Sequence, residues 1–266
     1  MAWFGERILL VLVDLWFGLI PRRRPSRQAL VDCKIISHRG EHDNRRILEN
    51  TLAAFAQAAD AGCWGLELDV RWTRDLQPVV VHDDNLRRVF GIDLVVAKVD
   101  LRELRQRCPQ VPTLAQVVEL FGGQLHLMVE LKLDPTGDFD ARGERLREIF
   151  CALEPSRDFH FLALQVAQFR LVEFCGRRAC LPVAEFNIAR LSQLALAEGY
   201  AGVCAHYLLL GAARIRRHHQ RQQKLGTGFA ASRYALYREI NRGVDWVFTN
   251  HAARLTSIRR QLLRDE

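Results

Sequence analysis

The sequence predicts an α/β fold, a parallel sheet closed into a barrel, and three observations lead there. Short apolar strand-like runs alternate with amphipathic helix-like runs from about residue 31 onward, the pattern of repeated strand–helix units. The length, 266 residues, is one at which a single α/β barrel is commonly built. Polar and charged residues gather where the strand-like runs end, which is where such barrels place their sites. No Pro/Gly/Ser-rich linker, internal repeat or low-complexity stretch divides the alternation into two domains.

Ahead of the barrel comes an apolar run, Ile8 to Ile20, interrupted by Asp14 and followed by Arg22, Arg23, Arg24 and Arg27. A spanning helix needs about 20 apolar residues, and this run falls short. A secretory signal carries its positive charge before the apolar run, and here the charge follows it. Arg7, Asp14 and Gly18 share a narrow strip of the helical wheel. We therefore expect a helix lying in the membrane interface over residues 3–27, its arginines on anionic headgroups and the rest of the chain peripheral on the cytoplasmic side. A helix packed over one end of the domain is the other reading. This divides the chain into the N-terminal segment 1–28, a barrel over 31–256 and a basic helix end over 257–266.

In order, strands are expected at Lys34–Ser37, Gly65–Val70, Pro78–His82, Leu125–Leu131, Phe159–Leu164, Leu181–Phe186, Ala201–Ala205, Leu225–Phe229 and Trp246–Thr249. Helices are expected at Thr51–Ala61 and Thr113–Phe121, each opened by a Thr placed to accept a free N–H. Further helices are expected at Ala141–Leu153, Val166–Cys175, Ala189–Glu198 and Ser232–Asn241, with Gly243 placed to end the last.

The chain is 49% hydrophobic and 26% charged, which supports a sizeable core and argues against wholesale disorder. With 38 Lys and Arg against 31 Asp and Glu, the net charge of +7 favours anionic partners such as phosphate esters or acidic headgroups. No zinc-finger spacing and no aromatic-rich RNA-binding strand accompanies it, so nucleic acid is set aside. Seven cysteines (Cys33, Cys63, Cys108, Cys151, Cys175, Cys180 and Cys204) are odd in number and form no CxxC pair. Reduced thiols in a cytosolic setting are expected, not a disulfide framework or a structural zinc site.

The chemistry concentrates between Gly65 and Asp84. Leu66, Leu68 and Val70 share one strand face, Glu67 and Asp69 the other. A hairpin folded about the Asp75–Leu76 bond would set Asp69 opposite His82 and Glu67 opposite Asp84, carboxylates and an imidazole in one small site. A solvated edge hairpin is the alternative. The first strand ends in Ser37-His38-Arg39-Gly40, the run HLMVELK in Glu130-Leu131-Lys132, and Asn250 and His251 follow the last strand. Glu67, Asp69 and Glu130 then make three inward carboxylates on neighbouring strands, hard oxygen ligands that suit Mg²⁺ or Ca²⁺. His38 and His82 flank them and titrate near neutrality, so that one can accept a proton while the other donates. Arg39 and Lys132 add fixed positive charge of the kind that holds a phosphate. Together these groups describe phosphoryl transfer on a phosphodiester.

The same residues fall into an ordered series of motifs. HRG at 38–40, ENT at 49–51 with Ala54-Phe55 after it, ELDV at 67–70, Thr73 with Asp75, HD at 82–83, PTL at 112–114, ELK at 130–132 and GVD at 243–245 with Phe248-Thr249-Asn250 resemble the glycerophosphodiester phosphodiesterases. The resemblance covers roughly Lys34 to Asn250. It implies a TIM (β/α)8-type barrel and metal-dependent hydrolysis of glycerol-based phosphodiesters, soluble or lysophospholipid, to an alcohol and glycerol 3-phosphate. It implies that His38 and His82 act as general acid and base, that Glu67, Asp69 and Glu130 bind one divalent cation, and that Arg39 and Lys132 hold phosphate. It implies attack by the neighbouring glycerol hydroxyl to give a cyclic phosphate, which water opens. Two alternatives stand beside it: a phospholipase-type or lysophospholipase D enzyme forming a cyclic phosphate at the membrane, and a lipid-binding barrel without turnover. Retention of both histidines argues against the second.

Departures from the family pattern bear on substrate. The loop between HRG and ENT reads EHDNRRIL, with Leu48 where the family has Pro. Glu41 and His42 are pocket candidates there, or belong to a solvated loop. Leu76 stands for the Gly of an Asp-Gly turn, and Asn250 for a final Asp. Phe229-Ala230-Ala231-Ser232 stands where Trp-Thr-Val-Asn is usual, so Phe229 replaces part of a flat apolar wall. The ligand and histidine positions are all kept; activity is expected, with the substrate left open.

Overall fold

The alternation of strands and helices closes on itself. A computed structural model describes residues 16–133 and 138–265. Its strands are β1 (Lys34–His38), β2 (Gly65–Trp72), β3 (Pro78–Val80), β4 (His126–Leu131), β5 (Phe159–Ala163), β6 (Cys180–Ala184), β7 (Gly202–His206), β8 (Lys224–Gly228) and β9 (Trp246–Thr249). Eight of them form a parallel ring in the order β1-β9-β8-β7-β6-β5-β4-β2, closed by pairing of β1 with β2. β3 stands outside the ring, antiparallel on the protruding end of β2. This is the TIM (β/α)8-type barrel that the sequence led us to expect.

Strand alternation sorts the side chains. Leu66, Leu68 and Val70 face the helix layer and pack in one cluster with Phe55, Leu114 and Val117. Ile36, Met128, Leu162, Leu181, Cys204 and Trp246 form a second cluster inside the ring. In the register of β2 with β4, Glu67 is level with Met128 and Asp69 with Glu130. The inward carboxylates thus stand on an apolar floor. The excursion between β2 and β4 has a small core of its own, built on Val79, Val81, Leu86, Leu94 and Leu104.

Helix termini follow their caps. Thr51 Oγ1 accepts from Ala54 N at the start of Leu52–Asp60, and Ser232 Oγ from Ala235 N at the start of Arg233–Asn241. Thr113 and Gln116 form a reciprocal capping box ahead of Leu114–Phe121. Val166–Cys175 is a 3₁₀ segment broken at Val172, not an α-helix. Over ten residues the i, i+3 and i+4 spacing of its buried positions suits either helix type, so the pattern could not separate them. The expectation also missed the short helices Arg87–Phe90, Leu101–Arg107 and Ala212–His219; the last buries only Ile215 and His218. The final helix runs Ala252–Arg264, across the boundary expected at 256.

Most of the N-terminal apolar run lies outside the described residues; Trp16–Leu19 is helical. No helix among the described residues is long and apolar enough to cross a membrane. At the strands' N-terminal end, two imidazoles form a buried neutral pair. His126 Nδ1 donates to Arg157 O (2.9 Å), and His160 Nδ1 donates to His126 Nε2 (2.7 Å). Trp64 and Trp246 flank them, with Lys34 and Lys224 over the indoles.

Candidate active site

Three carboxylates meet at the C-terminal end of the ring. Glu67 and Asp69 come from β2 and Glu130 from β4, and one ligand oxygen of each lies within 4.8 Å of the others. Burial raises the Glu67 pKa well above the carboxylate range, and the neighbouring Asp69 and Glu130 charges push it further. Burial also acts to raise Asp69, but Lys132 and Arg39 outweigh it and hold that group ionised. Glu130 is raised by burial, with Lys132 opposing.

Fixed cations answer part of this charge. Lys132 Nζ lies 2.7 Å from Asp69 Oδ1 and also pairs with Glu130. Arg39 Nε lies 3.1 Å from Asp69 Oδ2, while its Nη1 donates to Glu49 Oε1 at 2.9 Å. Arg39 has φ 60°, and that left-handed turn also lets its own N–H donate to Glu67 Oε2 at 3.2 Å. Asn50, the middle residue of the ENT motif, donates from Nδ2 to Asp69 Oδ2 at 2.8 Å. Glu67 Oε1 is buried with no hydrogen-bond partner. An orphaned carboxyl oxygen within a set of three, whose ionised form burial penalises until a cation arrives, is the donor chemistry a hard divalent ion satisfies, so these residues fit such an ion.

The histidines stand on either side with one ring nitrogen held. His38 Nδ1–H donates to Asn250 Oδ1 (2.6 Å), which leaves Nε2 unprotonated and 3.7 Å from Glu67 Oε2. Burial, and then Arg39, pull its pKa down to about 3, so it is neutral at pH 7. His82 Nδ1–H donates to Asp83 Oδ1 (2.6 Å), and burial outweighs the Asp69 charge to lower its pKa. Arg88 joins the two sides: its Nε donates to Asp83 Oδ2 (2.5 Å) and its Nη2 to Glu49 Oε1 (2.7 Å). Glu49 is buried, yet the hydrogen bonds and charges of Arg88 and Arg39 hold its pKa down at about 2.

The hairpin expectation is corrected in register. Val70 pairs with Val80 and Trp72 with Pro78, and Val81 N donates to Asp69 O (2.9 Å). Asp69 therefore faces Val81, not His82, and Glu67 does not face Asp84. The connection is a five-residue loop, Thr73–Gln77, closed by Thr73 N to Gln77 O. Its odd length shifts the pairing by one residue. Leu76 takes φ 56° where the family has Gly. His82 lies past the end of β3 and reaches the site from the loop.

The pocket candidates separate. Phe229 packs edge-on against His38, ring centroids 4.7 Å apart. Glu41 Oε2 accepts from Ala253 N (2.9 Å) and so caps the last helix, and His42 Nδ1 lies 2.9 Å from Gly40 O. The loop itself is ordered by Asp43 Oδ1, which accepts from the N–H groups of Arg45, Arg46 and Ile47. Reading from sequence missed Glu49, Asn50, Asp83 and Arg88 as site residues. The ENT and HD motifs carried a signal for the first three; nothing local marked Arg88.

Residues 38–158 match the model of the glycerophosphoryl diester phosphodiesterase family. A glycerophosphodiester phosphodiesterase of Caldanaerobacter subterraneus subsp. tengcongensis is 34% identical over 110 residues, covering 37% of this chain and 44% of that protein. The human lysophospholipase D GDPD1 is 45% identical over 71 residues, 27% of this chain and 22% of that protein. The chain thus spans less than half the length of the curated relatives it matches. Among solved structures, the glycerophosphodiester phosphodiesterase of Thermotoga maritima superposes with a TM-score of 0.71 at 23% identity, over 84% of this chain and 97% of that one. An Oleispira antarctica phosphodiesterase in complex with the product sn-glycerol-3-phosphate superposes at 0.73 with 22% identity, over 85% and 96%. These superpositions speak for the fold, and over residues 38–158 the chain is similar to the glycerophosphoryl diester phosphodiesterase family.

Proposed function

We propose that this chain is a divalent-cation-dependent phosphodiesterase that releases glycerol 3-phosphate from glycerol-based phosphodiesters. The observation that carries the reading is the carboxylate trio Glu67, Asp69 and Glu130, with one oxygen unpartnered, set between two imidazoles that each have one nitrogen held. These carboxylates would hold the cation, Mg²⁺ or Ca²⁺, which when bound supplies Lewis-acid polarisation of the phosphoryl group. Arg39 and Lys132 neutralise the bound phosphate, exchanging part of their carboxylate pairing for it. His38, neutral and steered by Asn250, takes the proton from the attacking hydroxyl; His82, in the imidazolium form that the Asp83 carboxylate favours, gives its Nε2 proton to the leaving alkoxide. A lysophospholipid is the second reading for the diester, favoured by the apolar Phe229 beside His38 and by the name of the human relative. The apolar run and the arginines to residue 27 support a peripheral position on an anionic membrane, with the barrel in the cytoplasm.

The test is glycerol 3-phosphate release from glycerophosphocholine and from a lysophospholipid, each with Mg²⁺, Ca²⁺ or EDTA. We expect chelator-sensitive release from at least one. Glu67→Gln should abolish it while leaving the melting temperature little changed, because burial already disfavours the ionised carboxyl and the amide keeps its shape. Full activity in Glu67→Gln would sink the metal assignment.

A further inference from the structure

Among the described residues, nine large hydrophobic side chains are exposed: Trp16, Leu19, Val31, Leu120, Leu133, Leu164, Phe186, Leu208 and Phe229. Five of them come directly after barrel strands. Leu133 follows β4, Leu164 β5, Phe186 β6, Leu208 β7 and Phe229 β8, and those five strands are consecutive in the ring. Each lies one or two residues past its strand, so together they edge more than half of the barrel mouth. Phe186 is 87% exposed. Isolated exposed apolar residues need no explanation, but an arc on one end of a molecule does.

The other part of the mouth is polar. β1, β2 and the β3 loop supply His38, Arg39, Glu67, Asp69 and His82, while Arg45 and Arg46 are exposed on the loop after β1. The N-terminal segment arrives at the apolar side. Phe17 packs edge-on against Tyr207, the residue after β7, with ring centroids 5.7 Å apart. Gly18 lies against Ser232, the cap of the helix after β8, where an added Cβ would be 3.0 Å from Ser232 Oγ. Trp16 and Leu19, exposed on that segment, extend the arc. The chain preceding Trp16 is the apolar stretch from Ile8 to Leu15.

We propose that this arc is a lipid-docking rim, which seats the barrel mouth on the surface of an anionic phospholipid membrane. The proposal rests on the reading of the mouth as the substrate entrance, but not on turnover. Three features select a lipid surface. The apolar arc is extended by Trp16 and Leu19, and the sequence immediately before them, Ile8 to Leu15, is apolar but for Asp14. It spans five loops, wider than a groove for one peptide. Arg45 and Arg46 on the same end, with the net charge of +7, complement anionic headgroups. Glu185 beside Phe186, and Asp43 on the loop of Arg45 and Arg46, are opposing charges at this end. Seated this way, the polar groups face the headgroup layer, where a phosphodiester of a membrane lipid lies.

The experiment is co-sedimentation of the full chain with phosphatidylcholine vesicles with and without phosphatidylglycerol, in parallel with the soluble-diester assay. Phe186→Asp/Leu208→Asp should weaken partition onto the anionic vesicles by about tenfold or more, as expected for losing two inserted apolar side chains. Glycerophosphocholine turnover should stay unchanged, since neither residue touches the site groups. A Phe186→Trp variant, read against the wild-type spectrum, should show added blue-shifted emission on anionic vesicles and added quenching by brominated acyl chains. Undiminished partition of the double variant would overturn the proposal. So would vesicle binding of the Phe186→Trp variant with no spectral change beyond that of the wild type, the outcome if residues 1–15 anchor the chain alone or cover the rim. Absence of turnover of both glycerophosphocholine and a lysophospholipid in the wild type would instead count against the function, with the docking result unaffected.

Discussion

Glu49 is the residue through which the two sides of the site are joined. It accepts hydrogen bonds from Arg39, which also pairs with Asp69, and from Arg88, which also holds Asp83 and through it His82. His82→Ala should cut turnover by about 10²-fold or more, the scale of a lost general acid or base. Arg88→Met should cost less, about tenfold in kcat with KM little changed, because Asp83 remains but is no longer pinned. It should also move the pH-rate limb that reports His82 upward, since an unneutralised Asp83 is a stronger partner for the imidazolium. An unmoved limb with a lowered melting temperature would make Arg88 structural only. His38, His82 and the three carboxylates were legible because each sits at a strand end in a short motif. Arg88 was not: it lies 39 positions from Glu49, and only the folded excursion brings them together.

Turns and short elements show where the reading of the sequence stopped. Gly65–Trp72 and Pro78–Val80 pair as expected, but one loop residue decides what faces what, and no propensity fixes an odd loop of five with a left-handed Leu76. The His126–His160 pair was invisible for a related reason: each His opens or nearly opens its strand with apolar residues following, and their contact depends on the β4–β5 register. Its consequence is a pH dependence. Burial lowers the pKa of His126 to about 4 and that of His160 to about 2, while both titrate near 6.5 when unfolded. Between pH 6.5 and 4 the unfolded chain binds protons that the folded pair refuses, so stability from this pair is lost as pH falls through that window. Urea unfolding at pH 7, 6 and 5 should show it, with a slope of at most about 1.4 kcal/mol per pH unit for each excluded proton. His160→Phe should flatten that slope; an unchanged slope would place the acid sensitivity elsewhere.

For the whole molecule, the strand sequence was sufficient because a closed parallel ring leaves little freedom: eight of the nine strand-like runs close in one order, and the ninth, β3, pairs outside the ring. What the pattern could not convey is that one member of the candidate site, His82, is carried outside the ring that holds the others. His82 is carried by an excursion with its own apolar cluster; β3, which precedes His82, pairs with the protruding end of β2, bridges through Val79 to Thr113 and sends Val80 into the main core. Such a unit can detach in a sub-global opening whose free energy is below that of the ring. In a denaturant titration, turnover should then vanish at concentrations where the far-ultraviolet circular dichroism of the barrel is still native, and amides of Val79 to Val81 should exchange faster than those of β4 and β5. Coincident loss of activity and dichroism would show one cooperative unit. The working limit of the proposed activity would accordingly be set by the smallest core, not the largest.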